Sequence, residues 1–129
     1  MNYYFKTTLT DTSFDEAIDK TTAELQKEGF GVLTEIDLKS TLKKKLDVDF
    51  YNYKILGACN PSFAYKALQA EDKIGTMLPC NVIVQEKEAG NIEVSAVDPL
   101  ASMMSVENTS LGGIADEVRE KLKKVIESL

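Results

Sequence analysis

Only two residues of this 129-residue chain carry a thiol, Cys59 and Cys80, and each is followed by asparagine: Ala58-Cys59-Asn60-Pro61 and Pro79-Cys80-Asn81-Val82. Histidine is absent. Its absence removes Ser-His-Asp and Cys-His nucleophile systems, His-x-x-x-His zinc sites and the usual proton shuttle. Acid–base work would fall to carboxylates, lysine, tyrosine or a perturbed thiol. Cys59 directly precedes Asn60, a good helix N-cap, and Pro61, a good first helical residue. The positive end of a helix dipole at that point would stabilise a Cys59 thiolate. Strand alternation groups Cys59 with Tyr51, Tyr53 and Ile55, which look like core, and aligns Cys80 with Val82 and Val84. Burial as two small hydrophobes is therefore the competing reading.

Three chemistries fit these residues. The first is a thiol redox or persulfide-handling pair. The second is a soft metal ion on both thiolates with help from Glu35, Asp37 or Asp98, since two cysteines fall short of four zinc ligands. The third is a pocket for a small organic ligand between sheet and long helix, lined by Tyr51, Tyr53, Phe63 and Met103; core packing explains that stripe as well. Glu35 and Asp37 are two apart on one strand and share a face. They could act as an acid–base pair in an apolar pocket, although such pairs more often lie on the wet face of a sheet. The candidate site is thus Cys59, Asn60, Cys80 and Asn81, with Glu35, Asp37 and Asp98 at its rim.

Periodicity predicts the elements that position them. Residues 2–9 alternate as a strand, and Ser13-x-x-Glu16 is a capping box opening a helix. That helix buries Phe14, Ala17, Ile18, Thr21 and Leu25 and ends at Gly29 as C′ residue. A strand over Val32 to Leu38 precedes a short amphipathic helix with Leu38, Leu42 and Leu46 on one side. Lys39, Lys43, Lys44 and Lys45 read as its solvated face. A strand over Phe50 to Cys59 leads into a helix carrying Phe63, Ala64, Ala67 and Leu68. Asn81 to Glu88 and Asn91 to Val97 form a hairpin across Ala89-Gly90. The last helix begins near Leu111–Ala115, with Ile114, Val118, Leu122, Val125 and Ile126 in its stripe and Glu117/Lys121 and Glu120/Lys124 as i,i+4 pairs. Gly112-Gly113 ahead of it serves helix entry, and Gly29-x-Gly31 follows a helix, the wrong order for a dinucleotide fingerprint.

The order predicts a single α+β domain over residues 1–129, with one largely antiparallel sheet of about five strands packed by helices. Whether the thiols share a site depends on the connection between them. A helix of about eleven residues, roughly 16 Å, is followed by seven residues that reach at most about 23 Å. If that segment runs back beside the helix, the two cysteine strands are antiparallel and both thiols lie at one sheet end. Antiparallel order is the expectation; a disulfide would further need Cα atoms within about 7 Å.

Composition limits the partners. A net charge of −6 with 43% hydrophobic residues argues for a globular protein with no general affinity for nucleic acid or anionic membranes. No segment approaches a membrane span and the first residues lack a signal-peptide pattern, so a cytoplasmic location is expected; Asn108-Thr109-Ser110 then carries no meaning as a glycosylation sequon.

Several blocks now stand in order: Gly29-Phe30-Gly31-Val32 running into Glu35-Ile36-Asp37, Ile55-Leu56-Gly57-Ala58-Cys59-Asn60-Pro61, Ile74-Gly75-Thr76-Met77-Leu78-Pro79-Cys80-Asn81-Val82, and Asp98-Pro99. In these the chain resembles the domain-of-unknown-function 302 family over nearly its whole length. The resemblance implies a small α+β domain of bacterial or archaeal type with a TATA-binding-protein-like shape, able to form a homodimer. It implies no activity. Three functions remain open: a binding or sensing module using the cysteines for redox or soft-metal contact, an enzyme using carboxylates and a thiolate on a small molecule, and a homodimeric interaction subunit without chemistry.

Overall fold

A computed structural model describes residues 2–129. Five strands, β1 (Tyr4–Leu9), β2 (Gly31–Asp37), β3 (Asn52–Cys59), β4 (Cys80–Glu88) and β5 (Asn91–Val97), form one sheet in the order β1-β5-β4-β3-β2. Every neighbouring pair is antiparallel. The helices are α1 (Phe14–Lys27), α2 (Leu38–Leu46), α3 (Pro61–Ala70), the single turn α4 (Pro99–Ser102) and α5 (Gly112–Glu127). The α+β class and the long C-terminal helix are as the periodicity predicts.

One sheet face carries the core. Leu56 and Ala58 of β3, Val82 and Val84 of β4, and Ile92, Val94 and Ala96 of β5 are fully buried on it. Against them lie Ala17, Ile18, Thr21 and Leu25 of α1 and Val118, Leu122, Val125 and Ile126 of α5. Thr21 is tolerated there because its hydroxyl donates to the Ala17 carbonyl at 2.7 Å. Ser13 caps α1 by accepting from the Glu16 N–H at 3.1 Å. Gly29 ends that helix with φ +86°, a conformation that costs a side chain energy but not glycine.

Two details depart from expectation. The lysines of α5 do not pair along their own helix: Lys121 and Lys124 reach across to Glu28 at 4.0 and 3.5 Å, tying α5 to the end of α1. The leucine stripe of α2 buries no residue fully: Leu38 and Leu42 are half-buried, and Leu46 is 66% exposed. This helix bridges the ends of β2 and β3 at the rim of the sheet. Its lysines are solvated as read, Lys43 pairing with Asp47 and Asp49 at 3.0 and 3.4 Å.

Candidate functional site

β3 and β4 are antiparallel, so the chain does double back between the cysteines, and both thiols sit at the same end of the sheet. They do not form a pair. Ala58, not Cys59, stands opposite Cys80, while Cys59 stands opposite Gly31 of β2. This one-residue offset keeps the two cysteines from standing opposite each other across the β3–β4 ladder, although both reach a cavity at that end of the sheet. Both thiols are free. Among the described residues no group of three or more Cys, Asp or Glu converges as metal ligands. The joint redox or soft-metal centre expected from the sequence is therefore not supported, and the cause is the register.

Cys80 behaves as a small hydrophobe, buried beside Val82 and Val84. Burial first, and the neighbouring Cys59 second, push its thiol from the ordinary value near 9 up to about 11. A thiol held above its unfolded value stabilises the fold fully below pH 9, and that contribution disappears as pH rises through 11. Over that window the wild type should lose about 2–3 kcal/mol more than Cys80→Ala, measured by denaturant unfolding at pH 8 and pH 11. Parallel losses in the two proteins would contradict the buried neutral thiol.

Asn60 also differs from its expected role. It occupies the cap position of α3 without a side-chain capping bond. Instead its amide donates to the Glu28 carbonyl at 3.3 Å, lying directly over Gly29. A Cβ on Gly29 would come within 2.9 Å of that amide nitrogen. Pro61 fills the first turn as read. Asn81 is exposed on β4 and opposes Gly57, whose missing side chain leaves room for Thr34 and Pro79: a Cβ there would collide with the Thr34 hydroxyl and lie 2.8 Å from the Pro79 ring.

The acidic candidates are dispersed. Glu35 accepts from Lys54 at 2.8 Å on the exposed rim, holding that ammonium above its ordinary value. Asp37 caps α2 by accepting from the Ser40 N–H at 3.0 Å. It lies six residues along β2 from Gly31, about 20 Å from the cysteine end. Asp98 is at the correct end but is already engaged. Its carboxylate accepts from the Leu100 N–H at 3.0 Å as cap of α4 and from Arg119 Nε at 3.2 Å. Arg119 also stands 5.1 Å from the centre of the Phe5 ring. Sequence reasoning missed this residue, although it is the only arginine among fifteen basic side chains. Its planar fork suits a shared carboxylate where lysine would serve as a point charge.

What the sheet end does assemble is a cavity. Its closed volume is ≈ 40 Å³, room for a water molecule or two. Its wall includes Phe30, Phe63, Met103, Ile114 and Val118, with Cys59, Asn60 and Cys80 as the polar members. Phe63 and Met103 are thus present as expected. Tyr51 and Tyr53 are not: Tyr53 belongs to the far face of the sheet, and Tyr51 stacks on Phe50 with ring centres 4.1 Å apart. They look like core only if β3 is covered on both faces, and it is not.

The architecture defines a class: an α+β domain whose antiparallel sheet carries helices on one face and an apolar cavity at one end. The chain belongs to the family described as domain of unknown function DUF302, whose model matches residues 5–129. A crystal structure of an uncharacterized conserved DUF302 protein from Bacillus stearothermophilus is similar to it, with 26% identity, 98% of each chain covered and a TM-score of 0.89. No curated protein matches the chain. Among the described residues no helix is long and apolar enough to cross a membrane.

Proposed function

We propose that this protein is a binding module that takes a small, mostly apolar molecule bearing one polar group into the cavity at the end of its sheet. One observation carries the reading. The four blocks on which the family resemblance rests are scattered over seventy residues of sequence, yet each sends residues to this cavity. Phe30 comes from the first, Ala58, Cys59 and Asn60 from the second, Leu78, Pro79 and Cys80 from the third, and Pro99 from the fourth. An apolar wall with a few convergent polar groups is the usual construction of a small-molecule site. Here the thiols serve as separate soft, weakly polar patches of wall and not as a joint reactive pair.

The volume sets the ligand class. The closed space of ≈ 40 Å³ is well below the ~150 Å³ cavity that takes a benzene ring, so a single ring is the upper bound on ligand size, and it enters only as the side chains of Phe63 and Met103 swing aside to let its polar group meet Asn60 or Cys59. Phenol is a suitable probe, and a ligand of so few atoms binds with a dissociation constant near 1 mM, about −4 kcal/mol. In an NMR titration, phenol should shift the methyl signals of Met103 and Val118. Ala64→Leu, which narrows the cavity from its half-buried wall, should weaken binding at least tenfold at a stability change below about 1.5 kcal/mol. Shifts confined to other surfaces, or unchanged affinity in Ala64→Leu, would end the reading.

A further inference from the structure

The sheet face away from α1 and α5 carries a second site that does not rest on the cavity. Antiparallel sheets with one solvated face present polar residues there; this face mixes polar, aromatic and branched side chains. The strand registers set its central row as Ile36, Ile55, Ile83, Ser95 and Lys6, from the β2 edge to the β1 edge. Over the β1 half of that row lies an open groove of ≈ 440 Å³, and no helical residue contributes to its wall. The volume falls within the range of small-molecule sites.

Tyrosines stand on both sides of the groove. Tyr53 is on the β3 side and Tyr3 and Tyr4 on the β1 side, three strand steps or roughly 14 Å away. Tyr3 and Tyr4 meet edge to face with ring centres 5.0 Å apart, and Tyr51 lies 6.0 Å from Tyr53. Burial first, then the neighbouring Tyr51 and Tyr3 hydroxyls, raise the Tyr53 phenol above its ordinary value. Amides stand between the rings. Gln85, opposite Tyr53 in register, donates to the Tyr51 hydroxyl at 3.4 Å, which leaves its amide oxygen as an acceptor. Asn81, exposed on the same strand, adds a second amide.

The charge of the groove opposes that of the chain. The whole sequence carries −6, yet the charged wall residues are Lys6, Lys87 and Glu93, two cations against one anion. Glu93 accepts from Lys87 at 2.8 Å and from Lys6 at 3.4 Å, and the Lys87 bond above all holds its carboxyl below the usual range. Each ammonium has three donors and needs only one for this contact. A local excess of one positive charge remains.

We propose that this groove binds a planar aromatic monoanion, its ring over Ile83 between Tyr53 and Tyr4 and its anionic group on Lys6 and Lys87. The tyrosines offer ring faces and edges, and the amides meet polar atoms at the ring edge. One excess charge suits one carboxylate; a nucleic-acid strand would need a row of cations for its phosphates. A neutral apolar ligand would leave the ammonium and amide groups facing it unpaired.

Titration with β-naphthoate, followed by NMR, tests this. It should bind with a dissociation constant of about 1 mM or tighter and move the Ile83 methyl and Asn81 amide signals while the Met103 methyl stays. Its neutral counterpart β-naphthamide should bind at least about threefold more weakly. Lys6→Gln with Lys87→Gln, which reverses the local charge, should weaken naphthoate at least about fivefold with an unchanged circular dichroism spectrum. Tyr53→Leu should weaken both compounds about threefold or more; if that variant does not fold, the lysine pair decides. Tyr65→Leu, on α3 at 65% exposure, should leave binding as it is. No binding up to about 10 mM, shifts confined to Met103 and Val118, or equal affinity for acid and amide would overturn the proposal, as would full affinity in the double lysine variant.

Discussion

Leu122→Ala should lower the unfolding free energy by about 3–4 kcal/mol. Leu122 is fully buried at the middle of the α5 stripe, where the helix meets the inner face of the sheet. The loss combines the transfer energy of three carbon groups with the cavity they leave, which packed β-structure cannot refill. For a domain of this size, whose total stability is on the order of 5–15 kcal/mol, that is a large fraction. Urea unfolding should show the midpoint falling with the slope unchanged. Leu46→Ala provides the contrast: at 66% exposure on α2 it should cost under about 0.5 kcal/mol. Equal costs at the two leucines would mean that α2 packs in solution as its periodicity alone implies.

The second large effect lies at Asp98. Asp98→Ala should cost about 2–3 kcal/mol, through loss of the Leu100 cap and of the Arg119 contact together. Stranding a partner in a fully buried pair costs 3–5 kcal/mol; Arg119 retains 30% side-chain exposure, so water relieves part of that penalty. Asp98→Asn keeps an acceptor for the cap and should lose about half as much. A double-mutant cycle with Arg119→Ala should give a coupling of about 1 kcal/mol or more. Additive single changes would show that the carboxylate acts only as a cap, and that the arginine is held by Phe5 and Glu120 alone.

The element order was legible because each segment states its own period. The alternation of β1 and the stripes of α1 and α5 are local properties, satisfied by whatever lies on the far side. Antiparallel pairing of β3 with β4 followed from chain length, since seven residues can span one helix. The site was less legible, for reasons of parity and partner. Whether Cys59 faces Cys80 depends on a one-residue register, and that register is set by pairing of β3 with both neighbours at once. The role of Glu35 depends on Lys54, nineteen residues away, and that of Asp98 on Arg119, twenty-one away. Asn60 looks like a cap because its neighbours are helical; its amide instead found the Glu28 carbonyl, a contact thirty-two residues long in sequence. Tyr53 and Ile55 look like core because they are apolar, and only the placement of both long helices on the opposite face shows that no helix among the described residues covers them.

The cavity is the claim on which the functional account stands, and a structure of the protein crystallised with phenol tests it most directly. The account predicts one ring in density between Phe63 and Met103, its hydroxyl toward Asn60 or Cys59, with the sheet unmoved. Density for ordered water alone in that space, or a ring bound only on the open isoleucine face, would contradict it.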